Sequence, residues 1–359
     1  MKYKLGDVCS RLSSGKGISA KLISAAGNYP VYGGNGLRGY TECSNFTGEC
    51  AIIGRQGAFC GNVRYFSGDA YMTEHAVVAC ANEDNDTRYL SYLLSTMQLG
   101  RLSGQSAQPG LSVKVLSQQE VDLPSLEQQQ KVVGILAPIE NKIQLNNSIN
   151  KNLEQQAQAI FKAWFIDFEP FSNRKPSDWS VSTLGNVSIM GAGGDKPQNV
   201  SPRKTDLYEY PIYSNGLSNE GLYGFTDNPK VSEESVTVSA RGTIGFVCLR
   251  HIPYVPIVRL VTLIPKTEII SAKYLYLWLK QLHITGTGTT QQQLTVPDFQ
   301  KTEILVPSKE IVTLFTATVE HIFEKIWANQ NENEKLSSLR DTLLPKLLSG
   351  ELDVSDIDL

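Results

Sequence analysis

Apolar and polar positions along the chain fall into an order that occurs twice. Each half opens with short β-type runs broken by Gly, Asn and Pro: CAIIGRQGAFCGNVRYF from Cys50, and SVTVSARGTIGFVCL from Ser235. Each then carries one amphipathic helical pattern, TRYLSYLLSTMQL from Thr87 and AKYLYLWLKQL from Ala272. A loop rich in Gly, Gln, Ser and Thr follows, LSGQSAQPG from Leu102 and ITGTGTTQQQ from Ile284. A short strand closes each half, QQEVDLP and KTEILVP. A long stretch of helical period comes after each closing strand.

The order is a duplication. LGDV at Leu5 recurs as LGNV at Leu184, YPVYGGNG at Tyr29 as YPIYSNG at Tyr210, and YLSYLL at Tyr89 as YLYLWL at Tyr274. The spacing between copies drifts through the β-rich parts, which is the mark of loop insertions and deletions. From Leu111 to Leu153 it stays constant at 183 residues, ending with Leu336, which is the mark of a rigid element. The chain therefore reads as globule, helix, globule, helix. The expected boundaries are 1–124, 125–169, 170–307 and 308–359.

The helices have legible starts. Ser125 precedes Gln128 by three residues in a capping-box pattern, and Ser308 is followed by Glu310 in the first turn. Pro138 is expected to restart or kink the first helix. Steps of four and three then pick out Ile139, Ile143, Asn146, Asn150, Leu153, Ala157, Ile160 and Trp164. The second copy gives Ile322, Ile326, Asn329, Asn333, Leu336, Arg340, Leu343 and Leu347. One apolar seam per helix, interrupted by two asparagine layers at matching levels, predicts that the copies pair. Asparagine in a seam lowers stability and penalises wrong registers, so these layers specify alignment. The expected fold class is α+β: two mixed α/β globules separated by two long helices in an antiparallel coiled coil, with pseudo-twofold internal duplication. The helix from Ile139 to Phe165 would span about 40 Å at ~1.5 Å per residue.

Composition narrows the function. The chain has 359 residues, 41% hydrophobic, with a net charge of −3. That charge excludes a simple basic nucleic-acid coat protein. The acidity is concentrated in residues 308–359, with 5 basic and 10 acidic groups. No apolar run approaches a membrane span and no signal-type core opens the sequence, so a cytoplasmic protein is expected. The six cysteines lack CxxC or zinc-type spacing and read as free thiols. SSGKGIS at Ser13 and GAGGDKP at Gly191 lack the spacing of a phosphate loop. The four histidines have no metal-ligand spacing, and no nucleophile elbow or nuclease carboxylate cluster stands out. Metal and catalytic residues are therefore expected to be absent.

Recognition chemistry remains. Arg reads guanine in the major groove and Asn or Gln reads adenine, with Ser and Thr more permissive. In the first globule these types gather at Asn35, Arg38, Arg55, Gln56, Gln105, Ser106 and Gln108. In the second they are Ser214, Asn215, Arg241, Thr289, Thr290, Gln291 and Gln292. Lys16, Lys196, Arg203 and Lys204 suit phosphate contacts, which position without specifying. A rival reading is a coiled-coil scaffold whose globules bind protein or glycan ligands. A stand-alone methyltransferase is a third, disfavoured by the missing cofactor motifs.

Two stretches carry a family resemblance. PSLEQQQKVVGILAPIENKIQLNNSINKNLEQQAQAIFKAWFIDFEP, from Pro124, resembles the central conserved region of type I restriction–modification specificity subunits. LRDTLLPKLLSGEL, from Leu339, resembles the distal conserved region of the same family. The two globules resemble its target recognition domains. The resemblance implies a subunit without catalytic activity that binds double-stranded DNA, each globule reading one half of a split, asymmetric site. It implies two methyltransferase subunits as partners, and two ATP-dependent translocase-nuclease (restriction) subunits in the full complex. S-adenosylmethionine, ATP and Mg would then sit on those partners, with no cofactor on this chain.

Overall fold

The structure, a computed structural model, describes residues 2–103, 110–286 and 292–355. The chain divides into two compact units, Met1–Asn146 with Asn331–Leu359, and Asn147–Gln330.

The first unit begins with β1 (Lys2–Lys4), β2 (Cys9–Ser14), β3 (Tyr29–Gly33), β4 (Gly36–Thr41), β5 (Phe46–Gly54), β6 (Val63–Met72) and β7 (Ala76–Ala81). Helix α1 (Thr87–Thr96), helix α2 (Val113–Ser117) and strand β8 (Glu120–Asp122) follow. Six strands form one sheet in the order β2-β7-β5-β6-β3-β4, and β1 pairs with β8 antiparallel. β6 is ten residues long, so it pairs antiparallel with β5 along most of its length and parallel with β3 at its end. That double pairing makes the sheet continuous. Helix α3 (Leu126–Phe165) leaves this unit and runs into the next.

The second unit repeats the plan with β9 (Ser180–Thr183), α4 (Leu184–Val187), β10 (Ser188–Ala192), β11 (Tyr210–Tyr213), β12 (Leu222–Thr226), β13 (Ser235–Val238), β14 (Val247–Arg250), β15 (Val255–Pro256) and β16 (Val261–Pro265). Then come α5 (Ala272–Gln281), α6 (Val296–Phe299), β17 (Glu303–Val306) and α7 (Lys309–Ser349). Here the sheet is split into β10-β16-β13-β14 and β12-β11-β15. The strand matching β6 is interrupted by His251–Pro253, and a proline inside a strand removes a ladder donor.

The end caps are repeated with the sheets. Asp86 accepts from the Tyr89 amide at 2.8 Å to start α1, and Ser271 accepts from the Tyr274 amide at 3.2 Å to start α5. Ser125 and Gln128 bond reciprocally at 3.4 Å at the start of α3. Pro138 neither restarts nor interrupts that helix, which runs unbroken for 40 residues. Its ring lies on the exposed face, while Val132 and Leu136 on the other side are buried in the core of the first unit. Packing of that apolar face outweighs the one backbone bond a proline removes.

Each unit contains its own antiparallel helix pairing. In the first, Val132 and Leu136 of α3 share a core with Leu343 and Leu347 of α7, and Asn146 further along α3 meets Asn333 earlier in α7. In the second, Asn150 meets Asn329, and Trp164 meets Phe315 with ring centroids 5.8 Å apart. The unit boundary therefore falls within both long helices, not at the globule–helix junctions near residues 124 and 307. Each helix gives one half to each core. The two cores differ in kind: Leu and Val dominate the first, whereas Phe161, Phe165, Tyr274, Trp278 and Phe315 interlock in the second.

Candidate nucleic-acid interface

A common backbone frame holds the loops of both globules. In the first, the Thr73 amide donates to the Tyr32 carbonyl at 2.9 Å, Gly15 to Ala76 at 3.0 Å, and Leu111 to Arg55 at 2.8 Å. In the second, Ile257 donates to Tyr213 at 2.9 Å, Gly193 to Leu260 at 2.8 Å, and Leu294 to Ala240 at 3.0 Å. These six bonds pair residue for residue across the duplication. They bring the β3–β4 hairpin, the segment after β5 and the segment before β7 to one place in the first globule. The corresponding segments meet in the second.

Asn35 sits exposed in the two-residue turn between β3 and β4, with exposed Arg38 just beyond it. Gly36, the first residue of β4, has φ +96°, and a Cβ there would fall 2.1 Å from Arg64 Nη1, so the Arg64 guanidinium lies directly against the end of the turn. The Arg38 chain rests on it too, its Cδ 2.7 Å from where a Gly33 Cβ would stand. Arg55 is half-buried; its amide donates to the His75 carbonyl at 3.0 Å and its Nη1 reaches the Glu74 carbonyl at 3.4 Å. Gln56 is exposed and its backbone bridges to Gly110. Lys16 is exposed and anchored through its amide to the Met72 carbonyl at 2.9 Å. The result is an edge carrying Lys16, Asn35, Arg38, Arg55 and Gln56 together, with Arg64 and the Glu74–His75 pair beside them. Gln105, Ser106 and Gln108 lie outside the described residues.

In the second globule, the half-buried Asn215 uses its amide internally. Its Nδ2 donates to the Val258 carbonyl at 2.6 Å and its Oδ1 accepts from the Ala240 amide at 2.7 Å. It therefore acts as a clamp joining three loops. Ser214 ties the loop by donating its amide to Gly221 at 2.8 Å. Arg241, next to Ala240, is exposed and donates to Gln293 Oε1 at 3.2 Å. Lys196 is exposed, its Nζ 6.0 Å from the Tyr223 ring centroid. Arg203 and Lys204 are exposed on a separate turn fastened to β12 by the Ser201–Phe225 backbone bonds. Gln292 is exposed, and Thr289, Thr290 and Gln291 lie outside the described residues.

Residue-type clustering overlooks several neighbours. Arg64 and the Glu74–His75 pair lie against the first cluster, and Val258–Arg259 occupies the matching place in the second. Val258 and Arg259 hold φ of +53° and +60°, a region a β-branched residue rarely enters, and both are exposed. The signal available in the sequence is the duplication: YMTEHAVV aligns with VPIVRLVT.

The seam asparagines are the other special polar groups. Asn146 is 1% exposed and Asn329 2%, while Asn150 and Asn333 are half-buried. Asn146 Nδ2 donates to Asn333 Oδ1 at 2.9 Å and to Glu332 Oε2 at 2.8 Å. Asn329 Nδ2 donates to Asn150 Oδ1 at 2.7 Å, and Asn150 Nδ2 donates to the Ile326 carbonyl at 3.2 Å. Ile139, Ile143, Leu153, Ile160, Ile322, Ile326, Leu336 and Leu343 are half-buried along the same faces. Asn141, Asn147 and Asn152 are exposed.

No group of three or more His, Cys, Asp or Glu among the described residues is placed to hold a metal ion. Burial pushes the Cys9, Cys50 and Cys248 thiols up to about 12, so they stay protonated. No helix among the described residues is long and apolar enough to cross a membrane.

Two equivalent loop clusters rich in Arg, Asn, Gln and Lys, each built on a sheet and joined to a shared helix pair, define a duplicated recognition protein. Comparison with known proteins makes the class specific. Residues 1–155 and 176–337 match the model of the type I restriction modification DNA specificity domain. The chain belongs to that family, whose members are specificity subunits and not the catalytic ones. It is 29% identical over 338 residues to a putative type I specificity subunit of Mycoplasma pneumoniae, covering 92% of this chain and 90% of that one. It is 28% identical over 328 residues to the HindI specificity subunit of Haemophilus influenzae, covering 68% of this chain and 71% of that one. The crystal structure of the type-I restriction-modification S subunit from M. genitalium shares the fold, with a TM-score of 0.62 at 18% identity over 97% of this chain and 95% of that one.

Proposed function

We propose that this chain is the DNA-reading subunit of a type I restriction–modification complex. Each globule, taken as 1–124 and 170–307, reads one half of a bipartite, asymmetric duplex site through its loop cluster. The helical regions 125–169 and 308–359 fix the spacing between the halves and dock methyltransferase subunits. The observation that carries this reading is the pair of loop clusters, held by matching backbone bonds yet presenting different side chains. A shared frame with different tips suits two unlike half-sites.

In this reading Asn35, Arg38, Arg55, Gln56 and Arg241 contact base edges, and Lys16, Lys196, Arg203 and Lys204 contact phosphates. Two methyltransferase subunits use S-adenosylmethionine to methylate adenine, and two restriction subunits use ATP and Mg. A cytoplasmic location follows from that work. The asparagine pairs Asn146·Asn333 and Asn150·Asn329 serve register: any slip would set an amide against Ile or Leu.

The decisive experiment replaces residues 1–124 with those of another family member and sequences methylated adenines made by the complex. One half-site should change and the other stay. A change in both halves removes the modular reading. A salt series on random duplex separates the scaffold alternative, because affinity should fall steeply with salt if phosphates are engaged.

A further inference from the structure

The loop joining β11 to β12 differs from its counterpart in the first globule. There, β3 and β4 are joined by only Gly34 and Asn35. In the second globule the connection runs from Ser214 to Gly221 and is closed at its base. Ser214 donates its amide to the Gly221 carbonyl, and Gly221, at φ +83°, approaches so closely that a Cβ would sit 2.2 Å from the Ser214 carbonyl oxygen. Between them, Asn219 and Glu220 both adopt left-handed backbone, with φ of +47° and +53°. Two consecutive non-glycine residues in that region carry strain that the surroundings must hold.

Arg250 holds it. This side chain is only 3% exposed. Its Nη2 donates to the Glu220 carbonyl at 2.7 Å, its Nη1 to Glu220 Oε2 at 3.0 Å, and its Nε to Thr237 Oγ1 at 3.0 Å. The guanidinium lies 3.6 Å from the Tyr213 ring centroid. Burying a guanidinium is costly unless it is paired and bonded, and here two of its three hydrogen bonds serve one strained loop. The first globule has Phe66 at this place: Phe66 pairs with Cys50 as Arg250 pairs with Ser235, and Phe66 packs on Tyr32 at 5.1 Å. A two-residue turn needs no clamp. The arginine is present where the longer loop is present.

What the clamp presents is Asn219. It is exposed, and its amide makes no hydrogen bond to another described residue. The same loop is tied by Asn215 to Ala240, beside Arg241. We propose that Asn219 is a base-reading residue of the second globule and that Arg250, through Glu220, is the positioning residue that sets its orientation. A carboxamide on a rigid tip can make the bidentate contact with adenine that a mobile one makes weakly. This inference rests on the second globule being a DNA reader.

The test uses the full chain in its methyltransferase complex and selection from a random duplex pool, with the half-site of the second globule identified by exchanging residues 170–307. Asn219→Ala should lower preference about tenfold at one or two positions of that half-site, with the other half and random-duplex affinity unchanged. Arg250→Met should blur that half-site more widely, and Arg250→Lys should restore it in part. Glu220→Gln, at the exposed end of the clamp, should blur it in the same way at parental melting temperature. A parental profile for Asn219→Ala overturns the reading role. A parental profile for Glu220→Gln, or for a folded Arg250→Met, overturns the clamp. If the unaltered complex shows no sequence preference, the proposed function itself falls and takes this assignment with it.

Discussion

In the first globule Phe66 packs on Tyr32, while at the matching place in the second Arg250 lies over Tyr213. In the first unit Arg88 locks α1 to α3, bonding Glu140 Oε2 at 3.1 Å and Asn141 Oδ1 at 3.0 Å under the Tyr65 ring. In the second, Lys273 sits at Arg88's place, held by Glu234 at 2.8 Å and Glu320 at 3.1 Å, over the Trp327 ring. At the helix start, the buried Gln129 bonds Asn85, the Pro124 carbonyl and the Asp86 amide, where the second unit has the apolar Val312. The six backbone bonds that frame the loops recur in both copies, whereas the side chains at these places differ. The duplication therefore conserves where the chain goes and leaves open what holds it there. That division lets the loop tips differ without altering the frame.

The largest test of this contrast is in the cores. Phe161 is fully buried among Phe165, Tyr274, Trp278 and Phe315, and Phe161→Ala should destabilise the second unit by about 3–5 kcal/mol. Leu136→Ala should weaken the aliphatic first unit by about 2–4 kcal/mol. Thermal melting followed separately for the two units should show each loss in its own unit. Equal losses in both would mean that the shared helices couple the cores.

Next come the locks. Arg88→Met removes the cation facing Glu140, which keeps the Tyr92 hydroxyl at 2.8 Å, and should cost about 2 kcal/mol, since both partners retain some exposure. Lys273→Met, which strands two carboxylates, should cost at least as much. Denaturant titration measures both.

The asparagine layers give a smaller effect of opposite sign. Replacing a bonded pair together, Asn146→Leu with Asn333→Leu, should add about 1 kcal/mol of stability, read as a higher melting temperature, and widen the range of spacers accepted. Asn150→Leu with Asn329→Leu should act likewise. Taking one residue from each pair, Asn146→Leu with Asn329→Leu, should destabilise by about 1–3 kcal/mol, because Asn333 Oδ1 and Asn150 Oδ1 then each lose the amide that donates to them. Unchanged spacing in the paired variants would count against a role in register.

The smallest effect is pH-dependent. Burial by itself raises the Glu154 carboxyl, but hydrogen bonds from Tyr276 at 2.6 Å and Lys280 at 2.9 Å hold it below its ordinary range. A depressed folded pKa contributes stability above the ordinary carboxylate range, lost as pH falls through the folded value. Melting of the second unit should thus fall with acidification in that window, and Glu154→Gln should flatten the slope.

The duplication, both globules' helices, the closing strands and the polar seam are all written in local pattern. Helical and strand periods are set by backbone geometry, so a single chain displays them. Likewise Asn146 and Asn329 are marked by their place in the seam. Pro138 does not restart the helix, because burial of Val132 and Leu136 carries it past the proline. Asn215 looked like a free reader, yet its amide is consumed in joining Ala240 to Val258. Nothing near Arg250 in sequence foretells that it meets Glu220, thirty residues earlier. Sequence by itself determined the repeat, the element order and the levels of the asparagines, because these follow from spacing along one chain. Tertiary structure alone decided that Asn146 faces Asn333 and Asn150 faces Asn329, that each core takes half of both helices, and which loop amides are occupied. Those depend on residues far apart in sequence meeting in space, and spacing along the chain holds no record of such partners.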